Sequence, residues 1–320
     1  MISACHQKLR PTKMPSSPSL SVALVTRNRP ESLKRTLRSL AAQSLQPFEV
    51  IVSDDSENER AAVVEHIVKS FGHQYIRGPR CGLYSNRNYV IRRCRGTHIR
   101  TMDDDHEFPN GHLAACIAAI ERDPTSVWII GEFHSRDPVE GSAPLCPGQL
   151  TPRGFSATPP NPHRCWAIAD GATIYPRVIF DQGHAFCEDF RFGAAYLEFG
   201  SRLHNLGYRI RFLSETYILH HLDVANRSFM DEDLEIASRA FAALCHSFIY
   251  QPTMYNRVMT VVELVTRWFR TGCRTGVFWQ AGISFQRRLS DHRREVSRHT
   301  ADDDNLNAAL RARGRRRPRA

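Results

Sequence analysis

The sequence predicts an α/β domain with a largely parallel sheet, and three observations lead there. Short segments rich in Val and Ile alternate with amphipathic helical ones at the spacing of βαβ units. Polar and charged clusters stand at the ends of the predicted strands, where open α/β sheets bind ligands. A chain of 320 residues, 42% of them hydrophobic, is long enough to bury a real core.

Taken in order, "LSVALVT" at 20–26 suits a buried first strand. "RPESLKRTLRSLAAQ" follows as a helix, with Pro30 in its first turn and Leu33, Leu37 and Leu40 on one face. "FEVIVSDD" is a strand, "ERAAVVEHIVKSF" a helix and "HQYIR" a short strand. "LYSNRNYVIRRC" reads as a helix, "THIRTM" as a strand, "GHLAACIAAIER" as a helix and "SVWIIGEF" as a strand. From about 136 to 165 the chain is proline-rich and aperiodic, the mark of a long functional or disordered loop. Order returns at "CWAIADGATIYPRVIF" and "LEFGSRLHNLGYRIRFL", where Gly207 is placed to end a helix. "TYILHH" is the last expected strand, and beyond 225 the pattern is helical and aromatic.

The net charge of +10 is concentrated in the C-terminal "RARGRRRPRA", which reads as a solvated tail. A nucleic-acid-binding protein is therefore not expected, because aromatic and basic residues are not interleaved on any predicted sheet. The cysteines are odd in number and never spaced as CxxC, which argues against a zinc ribbon or a disulfide framework and fits reduced thiols in the cytosol. No apolar run is long enough to span a bilayer. The expected organisation is a Pro/Ser-rich leader at 1–19, a ligand-binding half at 20–135 and a second half at 136–225. A helical extension at 226–300 and a basic tail at 301–320 complete it. The aromatic and basic helices of the extension could also lie on a membrane surface, which gives a cytoplasmic expectation with peripheral contact at the inner face.

The clusters at the strand ends carry the chemistry. "TMDDDHEFP" collects three consecutive acids and a histidine. Two carboxylates separated by one residue point to the same side of an extended chain and can share Mg²⁺ or Mn²⁺. That assigns Asp103 and Asp105 to a cation, while Asp104 points away; the competing role is an acidic turn capping the next helix. "SDDSEN" supplies Asp54 and Asp55, which can accept from a ribose or a base, or cap a helix. "TRNRPE" brings Thr26, Asn28 and Arg29 to the mouth of the first strand, with arginines suited to phosphate.

"TRNRPE", "VIVSDDSEN", "LYSNRNYVI" and "TMDDDHEF" together resemble, in order and spacing, the donor half of family 2 glycosyltransferases. The resemblance implies a GT-A fold: a Rossmann-like, mostly parallel central sheet flanked by helices, with an acceptor-side half. It implies that Thr26, Asn28, Asp54, Arg87 and Asn88, with Asp103 and Asp104, surround a nucleoside-diphosphate sugar, with Arg80 within reach. "DGATIYPRVIFDQGHAFCEDFRFG" and "YLEFGSRLHNLGYRIRFLSETYILHH" are similar to the acceptor half. There the family places a metal-ligating histidine, His220 or His221; the terminal His221 is expected beside Asp103 and Asp105.

One departure bears on the reaction. The family's general base lies in an E-D pair just before E-L-G, and here those positions are Ala195 and Tyr196. An unperturbed tyrosine, with a pKa near 10, is a poor base at neutral pH. "CEDF" offers Asp189 first and Glu188 second, with Glu198 and Asp170 as further alternatives. The expected activity is metal-dependent, inverting transfer from a nucleoside-diphosphate sugar, UDP-linked by resemblance, to a glycan, lipid-linked or small-molecule acceptor. The alternative is a GT-A module that binds without turnover.

Overall fold

The structure is a computed structural model, and it describes residues 18–134, 142–222 and 231–314. Most of the expected leader, part of the proline-rich loop and the arginine-rich end of the tail lie outside the described residues.

The first half runs β1 (Leu20–Thr26), α1 (Pro30–Ala41), β2 (Glu49–Asp54), α2 (Asn58–Ser70) and β3 (Gln74–Arg77). It continues through α3 (Leu83–Ile91), β4 (His98–Asp103), the two-residue β5 (His106–Glu107), α4 (His112–Arg122) and β6 (Val127–Phe133). The second half contributes a small hairpin, β7 (Gln149–Leu150) with β8 (Ser156–Ala157). Then come β9 (Thr173–Pro176), α5 (Val178–Asp181), α6 (Ala195–Asn205) and β10 (Ile210–His220). Helices α7 (Glu232–Cys245), α8 (Met254–Arg270) and α9 (Thr275–Gly314) follow, with a π-helical turn at His246–Tyr250 after α7.

Eight strands form one sheet in the order β3-β2-β1-β4-β9-β6-β10-β5. β3, β2, β1 and β4 pair in parallel, as do β6 and β10. β9 enters antiparallel between β4 and β6, and β5 closes the edge antiparallel to β10. The mostly parallel sheet expected from βα alternation is present, and strands from both halves share it. Two segments that the sequence separates, "YRIRFL" and "TYILHH", merge into the single strand β10, with an irregular register between Leu213 and Tyr217.

Alternation along β1 sets the layers. Val22 and Leu24 face a core with Leu33, Leu37 and Leu40 of α1, Val64 of α2 and Ile120 of α4. Ala23 and Val25 face the opposite core, with Tyr84 of α3, Phe199 of α6 and Phe241 of α7. Side chains of period two on strands and of period 3.6 on helices thus bury both faces of the sheet. Pro30 opens α1, and Gly207, at φ 92°, ends the chain segment after α6 in a conformation that disfavours a side chain.

Candidate active site

Between β1 and β4 the strand order reverses: the chain moves outward through β2 and β3, then returns to the other side of β1. That switch point opens a crevice at the carboxyl ends of the parallel strands. A cavity of about 690 Å³ lies there. Val25 and Thr26 from β1, Asp103 from β4, Glu132 from β6 and His220 from β10 all line it. α3 adds Asn86, the segment before β9 adds Asp170 and Gly171, and α6 adds Tyr196. Asp231, Glu232, Glu235 and Arg239 border it from α7 and its N-terminal residue.

The three consecutive acids are held in three different ways. Asp104 is fully buried and turned from the cavity; it accepts from Thr26 Oγ1 at 2.6 Å and pairs with Arg29. Burial outweighs Arg29 and lifts its carboxyl to about 7. Asp103 lines the cavity and accepts from the buried Arg87 at 2.8 Å. Burial acts to raise its carboxyl, but Arg87 and His106 hold it below the usual range. Asp105 also lines the cavity and accepts from Arg29 at 2.9 Å. Burial again opposes its charge, and His220, His106 and Arg29 overcome it, so Asp105 is ionised. The strand ends at Asp103 and the chain turns through Asp104 and Asp105, so the outer two acids line the cavity while Asp104, expected at the donor, braces α1. Asp103, expected as a metal ligand, stands outside the Asp105–His106–His220 cluster.

Around Asp105 the donors converge. His220 Nε2 lies 3.5 Å and His106 Nε2 3.8 Å from Asp105 Oδ1, and these three residues could hold one metal ion. His106 Nδ1 is buried without a hydrogen-bond partner, and Asp105 Oδ1 is buried with only the long contact to His220. Burial pushes His106 down to about 4, which leaves a neutral imidazole. Burial also opposes charge on His220, but hydrogen bonds to Asp105 and Glu132 outweigh it and raise it to about 10. A cation bound there would displace that proton. A buried carboxylate oxygen facing two imidazoles is a donor set suited to Mn²⁺ or a similar ion. His221, the expected ligand, turns instead to Glu107 at 2.7 Å, because successive residues at the end of β10 point in opposite directions.

Several expected ligand contacts are occupied by the protein itself. Asp54 is fully buried and does not line the cavity; Tyr75, Arg77 and the Ser56 amide bond to it. Its neighbour Asp55 lines the cavity and accepts from the Arg80 amide at 2.9 Å. Asn28 sits at φ 58° and accepts from the Glu57 amide, fastening β1 to the start of α2. Arg80, also at positive φ, supplies that backbone amide to Asp55, and its side chain is not among the cavity's lining. Asn88 bonds to the backbone of Phe186 in both directions and to Glu188, tying α3 to the second half. Arg87 bridges Asp103 and Asp170, the latter at 3.0 Å.

The structure does not bring the two expected base candidates to the cavity. Asp189 accepts from Ser284 at 2.7 Å and from Arg287 at 3.1 Å of α9, and Glu188 is exposed with its carboxylate on Asn88. Glu198 is buried, paired with Arg202 and bonded to Tyr250. Tyr196 does line the cavity, but burial and the Asp170 charge raise its hydroxyl far above the usual value. Asp170 itself is pushed up to about 7, by burial against the opposing pull of Arg87. Sequence reasoning passed over Glu132, His106, Glu235 and Arg239. Glu132 ends "VWIIGEF", so the strand-end rule applied to β6 would have found it; the α7 residues had no such signal.

Comparison with known proteins agrees with this architecture. The family described as Glycosyl transferase family 2 matches residues 21–182. A Campylobacter jejuni GalNAc(5)-diNAcBac-PP-undecaprenol beta-1,3-glucosyltransferase is 32% identical over 105 residues, which is 30% of this chain and 33% of that one. An uncharacterized Mycobacterium tuberculosis protein is 30% identical over 100 residues, 31% of each chain. The match thus spans about a third of these curated relatives. S. aureus TarS 1-349 in complex with UDP-GlcNAc superposes at TM-score 0.56 and 18% identity, covering 86% of this chain and 80% of that one. GalNAc-T7 with UDP, GalNAc and Mn²⁺ superposes at 0.59 and 17%, covering 71% and 48%. With half of its length matched by the family and a GT-A arrangement throughout its sheet, the chain belongs to Glycosyl transferase family 2.

Proposed function

We propose that the protein transfers a sugar from a UDP-sugar to an acceptor hydroxyl with inversion, and that a divalent cation is held by Asp105, His106 and His220. The observation that carries this reading is the buried Asp105 Oδ1, which faces the Nε2 atoms of His220 and His106 at 3.5 and 3.8 Å inside the switch-point cavity. When bound, the cation would neutralise charge on the donor's diphosphate. In this reading Asp103 orients the donor sugar, and Thr26, Arg27, Asp55 and Asn86, which also line the cavity, take the base and ribose. Asp55 takes the ligand contact that the motif gave to Asp54, whose oxygens are already bonded.

Asp170 is the proposed general base. It lines the cavity beside Tyr196, which occupies the family's base position, and its carboxyl near 7 is poised to accept a proton at neutral pH. The acceptor oxygen attacks the anomeric carbon and its proton passes to Asp170. The bond from that carbon to the diphosphate breaks as the new one forms, which inverts the centre. The relative's name specifies an undecaprenol-linked acceptor; a lipid-linked glycan is the proposed acceptor class here, with the protein peripheral to a membrane.

Calorimetric titration of UDP with and without Mn²⁺, followed by a screen of UDP-sugars for transfer and slow hydrolysis, tests the reading. UDP should bind tightly only with the cation, and Asp105→Ala should abolish that dependence. Equal UDP affinity with chelator and with Mn²⁺ would remove the metal from the proposal, and no UDP binding in either condition would remove the donor.

A further inference from the structure

Helix α8 is built inside out. Only two of its side chains are buried, Thr260 and Glu263, and both are polar. Thr260 Oγ1 donates to the Pro152 carbonyl at 2.6 Å, and Glu263 pairs with Arg153 at 2.6 Å and Arg267 at 2.7 Å. The apolar residues Met254, Val258, Val261, Val262, Val265 and Phe269 face solvent, from 48% exposed at Val265 to 78% at Met254. At 100° per residue these six fall within one stripe about a third of the helix wide, opposite the Thr260–Glu263 face. An ordinary surface helix shows the reverse pattern. The helix is nonetheless well begun, with the Thr253 hydroxyl accepting from the Asn256 amide.

We propose that this stripe docks on an anionic lipid bilayer. Exposed Arg257 borders the stripe on one edge and exposed Arg270 stands at the helix's C-terminal end, while Arg274, just beyond, is paired with Asp233. Glu263, the helix's sole carboxylate, is spent on the inward face. A second copy on the same face would bring further copies of Arg257 and Arg270 to it, with no exposed carboxylate on α8 to offset them. Phosphate headgroups complement Arg257 and Arg270 while acyl chains receive the valines, the arrangement of an interfacial helix. No helix among the described residues is long and apolar enough to cross a membrane, so the contact lies on the surface. The β7–β8 hairpin joins the inward face of α8 to the cavity: Arg153 at its tip pairs with Glu263, and Ser156 lines the cavity. The docking rests on the stripe itself and does not require the lipid-linked acceptor reading.

Flotation of the full chain with phosphatidylcholine vesicles, with and without phosphatidylglycerol, tests the docking. The chain should float with the anionic vesicles and release as salt rises. The double variant V258E/V262E should weaken that binding at least about tenfold with an unchanged thermal melt, since both positions are exposed. R257E/R270E should weaken it on anionic vesicles most. Failure to float would overturn the proposal. So would flotation that survives V258E/V262E but vanishes when residues 315–320 are deleted, which would assign it to the arginine tail. A dimer in light scattering that V258E/V262E dissolves, without lipid binding, would assign the stripe to a second copy and also overturn it.

Discussion

Gly171 lies against Asp103 with no room for a side chain: a Cβ there would stand 2.1 Å from Asp103 Oδ2 and 2.8 Å from His106 Cε1. Asp103 cannot retreat freely, because Arg87 holds its other oxygen. Gly171→Ala should therefore displace the ligand-facing acid while leaving the cores intact. UDP affinity in the presence of Mn²⁺ should fall about tenfold or more, the equivalent of roughly 1.4 kcal/mol, with a native circular dichroism spectrum. Unchanged affinity would mean that Asp103 takes no part in donor binding.

The two histidines at the end of β10 should separate cleanly. His220 faces Asp105 and Glu132, whereas His221 faces Glu107. His220→Ala should weaken Mn²⁺ binding by ten- to a hundredfold, on the order expected for loss of a ligand or its orienting partner, and His221→Ala should leave it nearly unchanged. The reverse order in a Mn²⁺ titration would restore His221 as the ligand.

That pair also shows where the sequence stops being informative. The placement of Asp103 and Asp105 at the cavity was legible because ligands of α/β sheets gather at the carboxyl ends of the strands, where one strand ends at Asp103 and the chain turns through Asp105. Choosing between His220 and His221 needed the phase of β10, and β10 carries a register irregularity between Leu213 and Tyr217 that pattern alone does not reveal. Asp54 and Asp55 raised the same question of phase, and it was answered by Tyr75 and Arg77 on the neighbouring strand. The carboxylates from α7 were out of reach for a different reason: their approach to the cavity depends on helix packing between segments distant in sequence.

For the base, the three candidate acids sit in different surroundings and give different outcomes. Asp170→Asn should lower kcat by 10²-fold or more, about the contribution of a positioned general base. Asp189→Asn should lower activity only as far as it loosens α9, since Asp189 is bound to Ser284 and Arg287. Steady-state kinetics on all three of Asp170→Asn, Glu235→Gln and Asp189→Asn decides the matter. Loss confined to Glu235→Gln would move the base to α7.

Arg87 is fully buried and is the shared partner of Asp103 and Asp170. Arg87→Met leaves two carboxylates facing each other without a cation, and removal of one partner from a buried ionic group costs about 3–5 kcal/mol. Denaturant unfolding should show a loss of that order. The double variant with Asp170→Asn should recover part of it, because one of the opposed charges is gone. Additive losses in this cycle would mean that the two residues are energetically independent.

Three histidines outside the cavity govern a separate acid transition. His98, His112 and His246 are buried, and burial depresses each of them: His246 to about 4, His112 well below its ordinary value and His98 in the same direction. An unfolded histidine binds its proton near 6.5, so between that pH and the native value the unfolded state holds more protons. Stability is therefore complete above about 6.5 and falls as the pH drops toward 4, the sign that linkage requires. For His246 the interval corresponds to roughly 3 kcal/mol at 1.36 kcal/mol per unit. His246→Asn keeps a polar group near Ser201, whose hydroxyl lies 3.0 Å from His246 Nδ1, and removes the titration. Denaturant unfolding measured at steps from about pH 7 to 4 should show a shallower decline in this variant by about that amount. Parallel curves for wild type and variant would show that His246 takes up its proton in the native fold as readily as in the unfolded chain.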